Sequence, residues 1–264
     1  MLLLRRALAG SHGAAGVCSP LASLTRMNSS NASRLAFEEL TAGADDEQLE
    51  FMKEMVIQVD ERDRVLGPIT KKDSHLHDGV LHRAFSVFVF NSKNELLIQK
   101  RAPEKITFPG YWANTCCSHP LFLEDEMEDS VGVKRAAIRK LEHELGIPAM
   151  QFSVTDIKYV STVLYKVPFT QSVTQAASDS NWTEYEMDHI LLARGDVALN
   201  VNASEVEQVE FVGRDAISAL LSDPERKLSP WFRLICANLL PLWWENLDAM
   251  LAEDNGDRSI HDYR

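Results

Sequence analysis

The chain has 264 residues, 45% of them hydrophobic and 25% charged, which suits one large folded domain or two small ones and excludes collagen, coiled coil and disorder as descriptions of the whole. Against 27 Lys and Arg stand 39 Asp and Glu, a formal net charge of −12 that repels a phosphate backbone and excludes a general nucleic-acid binder. No stretch approaches the roughly 18 consecutive apolar residues of a membrane span, and the sparse cysteines Cys18, Cys116, Cys117 and Cys236 read as free thiols of a reducing compartment.

The first 37 residues contain no Asp or Glu, carry Arg5, Arg6, Arg26 and Arg34, and are rich in Ser, Ala and Gly. That is the composition of a mitochondrial transit peptide, the alternative being a plain leader ahead of a second start at Met27. Residues 1–44 are therefore set apart from the fold, residues 252–264 read as a polar tail, and the compartment expected is mitochondrial, cytoplasmic or both. The final Asp262-Tyr263-Arg264 is not a peroxisomal address.

Residues 45–251 read as one mixed α and β domain. Met55–Val59 is a short apolar strand with Asp60–Asp63 as its turn. Ala84–Phe90 and Leu96–Ile98, joined by Asn91–Asn94, have the pattern of a hairpin. Val133, Ala137, Leu141 and Leu145 recur every four residues in a helix that opens at Asp129 or Ser130 and stops at Gly146 and Pro148. Strands are expected at 157–165, 186–193 and 206–212, a surface insertion at 168–180, and one last helix from Pro230 to about Met250, capped by Ser229.

Four groups of residues can carry chemistry. His75, His77 and His82, with His119 after Cys116-Cys117-Ser118, supply imidazoles of the kind that bind divalent metals, and they match no zinc-finger spacing. Glu184 and Glu186 point to one face if their segment is a strand, and two adjacent carboxylates are tolerated when water or a cation lies between them. Lys71-Lys72, Lys100-Arg101 and Lys105 gather cations near turns, as an anion cradle requires. The run Arg139-Lys140-Leu141-Glu142-His143-Glu144-Leu145-Gly146-Ile147 resembles the end of the Nudix box, a helix whose acids hold Mg²⁺ in diphosphate hydrolases. Lys140 and His143 stand where two of those acids belong.

Together with Leu81-His82-Arg83-Ala84-Phe85-Ser86, Phe108-Pro109-Gly110, Thr115–Pro120, Glu184-x-Glu186 and Ser229-Pro230-Trp231-Phe232, this order resembles the type 1 isopentenyl-diphosphate isomerases, a family built on a modified Nudix fold. The resemblance extends from about Lys71 to Trp244. It implies a mixed β-sheet flanked by helices in a monomer that isomerises isopentenyl diphosphate without a redox cofactor. It further implies that His75, His82, His119, Glu184 and Glu186 hold one divalent metal (Mg²⁺, Mn²⁺ or Zn²⁺), with His77 as a competing imidazole for the first place. Lys71, Arg101, Lys105 and Ser118 would hold the diphosphate, and Glu144 would help place a second Mg²⁺ on it. Cys117 and Glu186 would exchange protons with the substrate, with Glu186 donating through Tyr165, Cys117 accepting and Trp231 lining the hydrocarbon pocket. A Nudix hydrolase, opposed by the missing acids, and an inactive binding member, opposed by the intact Cys117 and Glu186, are the alternatives.

Overall fold

In a computed structural model the apolar runs and polar turns resolve into ten strands and seven α-helices among the described residues, which are 43–169, 182–254 and 259–264 with Glu38 and Thr41. The expected leader, apart from a few residues, and the expected insertion, apart from Pro168 and Phe169, lie outside them. In chain order the elements are α1 (Asp46–Phe51), β1 (Met55–Val59), β2 (Val65–Thr70), α2 (Lys71–His75), β3 (His82–Phe90), β4 (Leu96–Arg101), β5 (Trp112–Ala113), β6 (Cys116–Ser118) and α3 (Asp129–Leu145). There follow β7 (Lys158–Phe169), β8 (Trp182–Arg194), β9 (Val206–Val212), α4 (Ala216–Ser222), α5 (Pro230–Asn238), α6 (Leu240–Glu245), α7 (Leu247–Ala252) and β10 (Ile260–Asp262).

Strand β3 organises the sheet. All of its residues are buried, as befits a mostly apolar run covered on both faces. One edge pairs in parallel with β8 over its whole length, from His82 opposite Glu186 to Phe90 opposite Arg194. The other edge is shared by β1 at Gln58, by β6 over Phe85–Val87 and by β4 at Phe90. The expected hairpin therefore pairs only beside its turn, at Phe90 and Leu96, and β4 turns away to pair with β9.

Alternation along β3 divides the core into two layers. Phe85, Val87 and Val89 pack with Val133, Ala137, Leu141 and Leu145 of α3. Phe88 faces the other way, with Phe232 and Trp243 at 6.3 and 6.4 Å between ring centroids, and Phe90 meets Trp244 at 5.0 Å. Gly146 ends α3 at φ 65, where its N–H bonds the Glu142 carbonyl at 2.9 Å. A Cβ there would lie 2.3 Å from the Asn200 carbonyl, so the stop also admits the 200–205 segment against the helix end.

Two expectations are corrected. The single helix over 230–250 is three helices, broken at Leu239 and Asn246. Pro241 has no N–H to continue the first helix, and its ring would collide with the carbonyl one turn back. The polar tail supplies a strand, β10, which adds in parallel to the edge of β7 at Thr162–Leu164.

Candidate active site

The register of β3 brings the chemistry together at the starts of β3 and β8. His82 lies directly opposite Glu186, and Glu184 is on the same face of β8 two residues earlier. Cys117 sits opposite Ser86 and Cys116 opposite Val87, so the neighbouring thiols leave β6 on opposite faces. Cys116 is fully buried in the α3 core, whereas Cys117 lines a cavity with His119, Tyr165, Glu184, Glu186 and Trp231. Helix α2 adds Lys71 and His75 to the same cavity, four residues apart and therefore on one helical face.

His75, His82, His119 and Glu186 each offer one ligand atom, all within 4.8 Å of one another. His75 Nδ1 bonds the Lys71 carbonyl at 2.8 Å and His82 Nδ1 the Val80 carbonyl at 2.7 Å. A carbonyl only accepts, so both Nδ1 atoms carry protons, and each neutral ring turns its Nε2 lone pair inward. His75 Nε2 then faces Glu184 Oε2 at 2.9 Å, while His82 Nε2 and His119 Nδ1 are buried without a partner. Lone pairs aimed at carboxylates repel unless a proton or a cation lies between them. Burial would lower the pKa of the His75 imidazole, but the Glu184 carboxylate beside it lifts it above the ordinary value. Nitrogen and oxygen donors in this arrangement fit a divalent metal. The competing His77 is not brought here; it sits at φ 56, with its carbonyl accepting from Thr183 at 2.5 Å.

The Tyr165 hydroxyl donates to Glu186 Oε2, and burial, reinforced by Glu186, drives its pKa far up, so it is a phenol. His119 Nε2 meets the other oxygen of Glu186 at 2.9 Å. Burial pushes the Cys117 thiol up to about 12, opposed by Arg101, whose Nη1 lies 3.8 Å from Sγ. The resting sulfur is therefore a thiol, where the acceptor role expected of Cys117 needs a thiolate. Trp231 is fixed by its Nε1 donating to Asn114 Oδ1 at 3.1 Å, and Phe108 packs edge-on to it at 5.3 Å.

The expected cradle residues Lys71, Arg101, Lys105 and Ser118 all line this cavity. Arg101 is held by the Thr107 and Phe108 carbonyls at 2.8 and 3.2 Å, with its Cζ 5.7 Å from the Trp231 ring centre. Burial, with Lys105 nearby, lowers Lys71 to about 8. Lys105 is tied to the buried carboxylate of Glu205. Lys100 turns out instead to Glu207 at 2.7 Å, and Glu144 is not among the cavity-lining residues. Glu144 pairs with Lys140 at 3.2 Å and accepts from Gln99 at 3.1 Å.

Sequence reasoning missed Gln48 and Met52, which α1 places in the cavity wall, and Glu205, and nothing local marks any of them. Asp188 was legible, because it continues the two-residue alternation of Glu184 and Glu186; it is buried and accepts from Ser86 Oγ at 2.8 Å. Arg139, in the run that resembles the Nudix box, has a supporting part. Its guanidinium pairs with Glu126 at 2.6 Å and donates to the His119 carbonyl at 3.3 Å, steadying that ligand's loop.

A NUDIX domain model matches residues 80–232. An isopentenyl-diphosphate delta-isomerase of Gibberella zeae is 47% identical over 83% of this chain and 87% of its own length. Isomerases of Bos taurus and Dictyostelium discoideum are 43% and 41% identical, covering 81% and 84% of this chain and 94% of each relative. Among solved structures, DR0079 from Deinococcus radiodurans superposes with a TM-score of 0.50 at 19% identity, over 70% of this chain and 99% of that one.

Proposed function

The chain belongs to the isopentenyl-diphosphate delta-isomerases, enzymes of isoprenoid biosynthesis with a NUDIX domain, and on that premise we propose how its residues divide the isomerisation. Moving the double bond adds a proton to the terminal alkene carbon and removes one from the carbon nearer the diphosphate. An alkene is a very weak base, so the donor must be close and its surroundings dry. Glu186, through the Tyr165 hydroxyl, serves one of these carbons and Cys117 the other. Strand β3 lies between the strands that carry them. Since the reaction is reversible, each side donates in one direction and accepts in the other. In the forward direction Glu186 and Tyr165 give the proton and Cys117 takes one as a thiolate, so the proton that the thiol holds at rest must first pass to the Glu186 side.

The diphosphate lies among Lys71, Arg101, Lys105 and Ser118, charge-assisted bonds to its oxygens fixing where the alkene sits. The π-face of Trp231 stabilises positive charge on the tertiary carbon by roughly 0.5–2 kcal/mol. His75, His82, His119, Glu184 and Glu186 would hold a divalent cation, Mg²⁺, Mn²⁺ or Zn²⁺, which when bound would neutralise the two carboxylates and make a carboxyl group there a stronger acid. A second Mg²⁺ would accompany the diphosphate; Glu144, the residue expected to help place it, is instead held by Lys140 and Gln99 outside the cavity lining. In this reading the protein acts as a monomer that is mitochondrial, cytoplasmic or both according to its leader, for which fusion of Met1–Phe37 to a fluorescent protein is the test, a diffuse cytosolic signal removing the transit-peptide reading.

The observation that carries the reading is the single cavity lined by Cys117, Tyr165, Glu186 and Trp231 together with three cations. It is tested by incubating labelled isopentenyl diphosphate with the full chain, with Mg²⁺ and with chelator. Formation of dimethylallyl diphosphate that chelator stops is expected. Release of inorganic phosphate would mark a hydrolase instead.

A further inference from the structure

Lys140 and His143 occupy positions where the Nudix box carries acids, and both face α1. The Lys140 ammonium lies 5.3 Å from the centre of the Phe51 ring, and the His143 ring meets Phe51 edge-on at 5.3 Å. His143 Nδ1 and Lys140 Nζ are 3.1 Å apart, and His143 Nε2 is 3.9 Å from Glu47 on the same helix. A ring face attracts a cation and would repel the carboxylates that a hydrolase places here. Helix α1 is also tied to the 200–205 segment, where Ser204 Oγ donates to Glu47 at 2.8 Å and Gln48 Nε2 to Glu205 at 2.8 Å. Helix α1 is only six residues long, too short to hold its shape unaided. From this seat it presents Gln48 and Met52 to the cavity beside Lys71 and Lys105.

We infer that Lys140 and His143 are positioning residues that seat α1, and that the seated helix completes the substrate cavity with Gln48 and Met52. The face of the Nudix helix that serves metal binding in hydrolases is here a docking face for the N-terminal helix. This rests on the isomerase reading for the substrate, but not for the seat itself. The Gln48 amide also couples the helix to the cradle, because the Glu205 carboxylate it bonds is the one that holds Lys105.

Phe51→Ala, which removes the ring without touching the cavity, and His143→Glu, which restores an acid, are the test in the full chain, with Phe51→Tyr as the conservative rescue. Amide exchange over residues 46–52 should rise at least tenfold in both and return in Phe51→Tyr, while exchange in β3 and β8 stays as in the wild type. The KM for isopentenyl diphosphate should rise about fivefold or more with kcat within about twofold. Unchanged exchange over 46–52 would overturn the seat. Raised exchange with an unchanged KM would show that α1 takes no part in the cavity. A wild-type chain without isomerase activity would count against the functional reading alone, since the exchange result does not depend on turnover.

Discussion

Two groups of buried charged side chains flank the cavity, and they differ in how their charge closes. In the first, His75, His82, His119, Glu184 and Glu186, the Nδ1 protons of His75 and His82 are spent on backbone carbonyls, and two ring nitrogens are left without partners. In the second, each carboxylate has its own cation, Lys105 with Glu205 and Lys140 with Glu144, and Gln48 and Gln99 take up further lone pairs. Burial would raise both glutamates, but the lysines hold them below the ordinary carboxylate range. The second group is complete as protein. The first lacks positive charge and donors, which marks it as a place for something the chain does not itself contain.

The strongest test of this contrast uses Cys117, which stands in the cavity they share. Cys117→Ala should lower kcat by about 10²–10⁴-fold while isopentenyl diphosphate still binds, since the cradle cations and not sulfur hold the diphosphate. Binding lost along with turnover would give Cys117 a structural part instead. Next in size, Glu184→Gln should weaken divalent-metal affinity by at least about tenfold, as read by calorimetric titration with Mn²⁺. Unchanged affinity would take Glu184 out of the metal site.

Glu205→Gln addresses the complete group. It leaves Lys105 buried beside a neutral amide and should cost about 3–5 kcal/mol in urea unfolding, with metal affinity unchanged. Smaller still, Cys116→Ala should cost about 1 kcal/mol and leave turnover near the wild-type rate, because its sulfur packs against α3. The thiols also set a pH dependence. Burial raises Cys117 from an ordinary 9.0 to about 12, so the folded state favours the protonated form. That contribution is fully present below pH 9 and is lost as pH rises towards 12, and urea midpoints should fall over this window. Midpoints flat across it would show that the Cys117 environment is wetter than its packing implies.

Within the first group alternation made only the glutamate pair legible, and the three histidines joined it through the resemblance to the isomerase family. Glu184 and Glu186 needed only a strand to share a face. The second group was not legible, since Gln48, Lys105, Glu144 and Glu205 come from four distant segments and meet only through the packing of α1 and the 200–205 segment on the end of α3. At the level of the fold, β9 was readable to the residue, but β10 was not. Ile260–Asp262 has no apolar pattern, and it pairs because β7 leaves an open edge. Pro241 was visible in the sequence, yet the apolar periodicity around it masked the break it imposes.

The central claim, that the histidine and glutamate group is built around a divalent cation and the lysine and glutamate group is not, is met most directly by metal titration of chelator-treated full-length protein. One Mn²⁺ per chain should bind to the wild type and to Glu205→Gln with similar affinity, and binding should be lost in His82→Ala and Glu186→Gln. Binding that survives Glu186→Gln but disappears in Glu205→Gln would contradict the account.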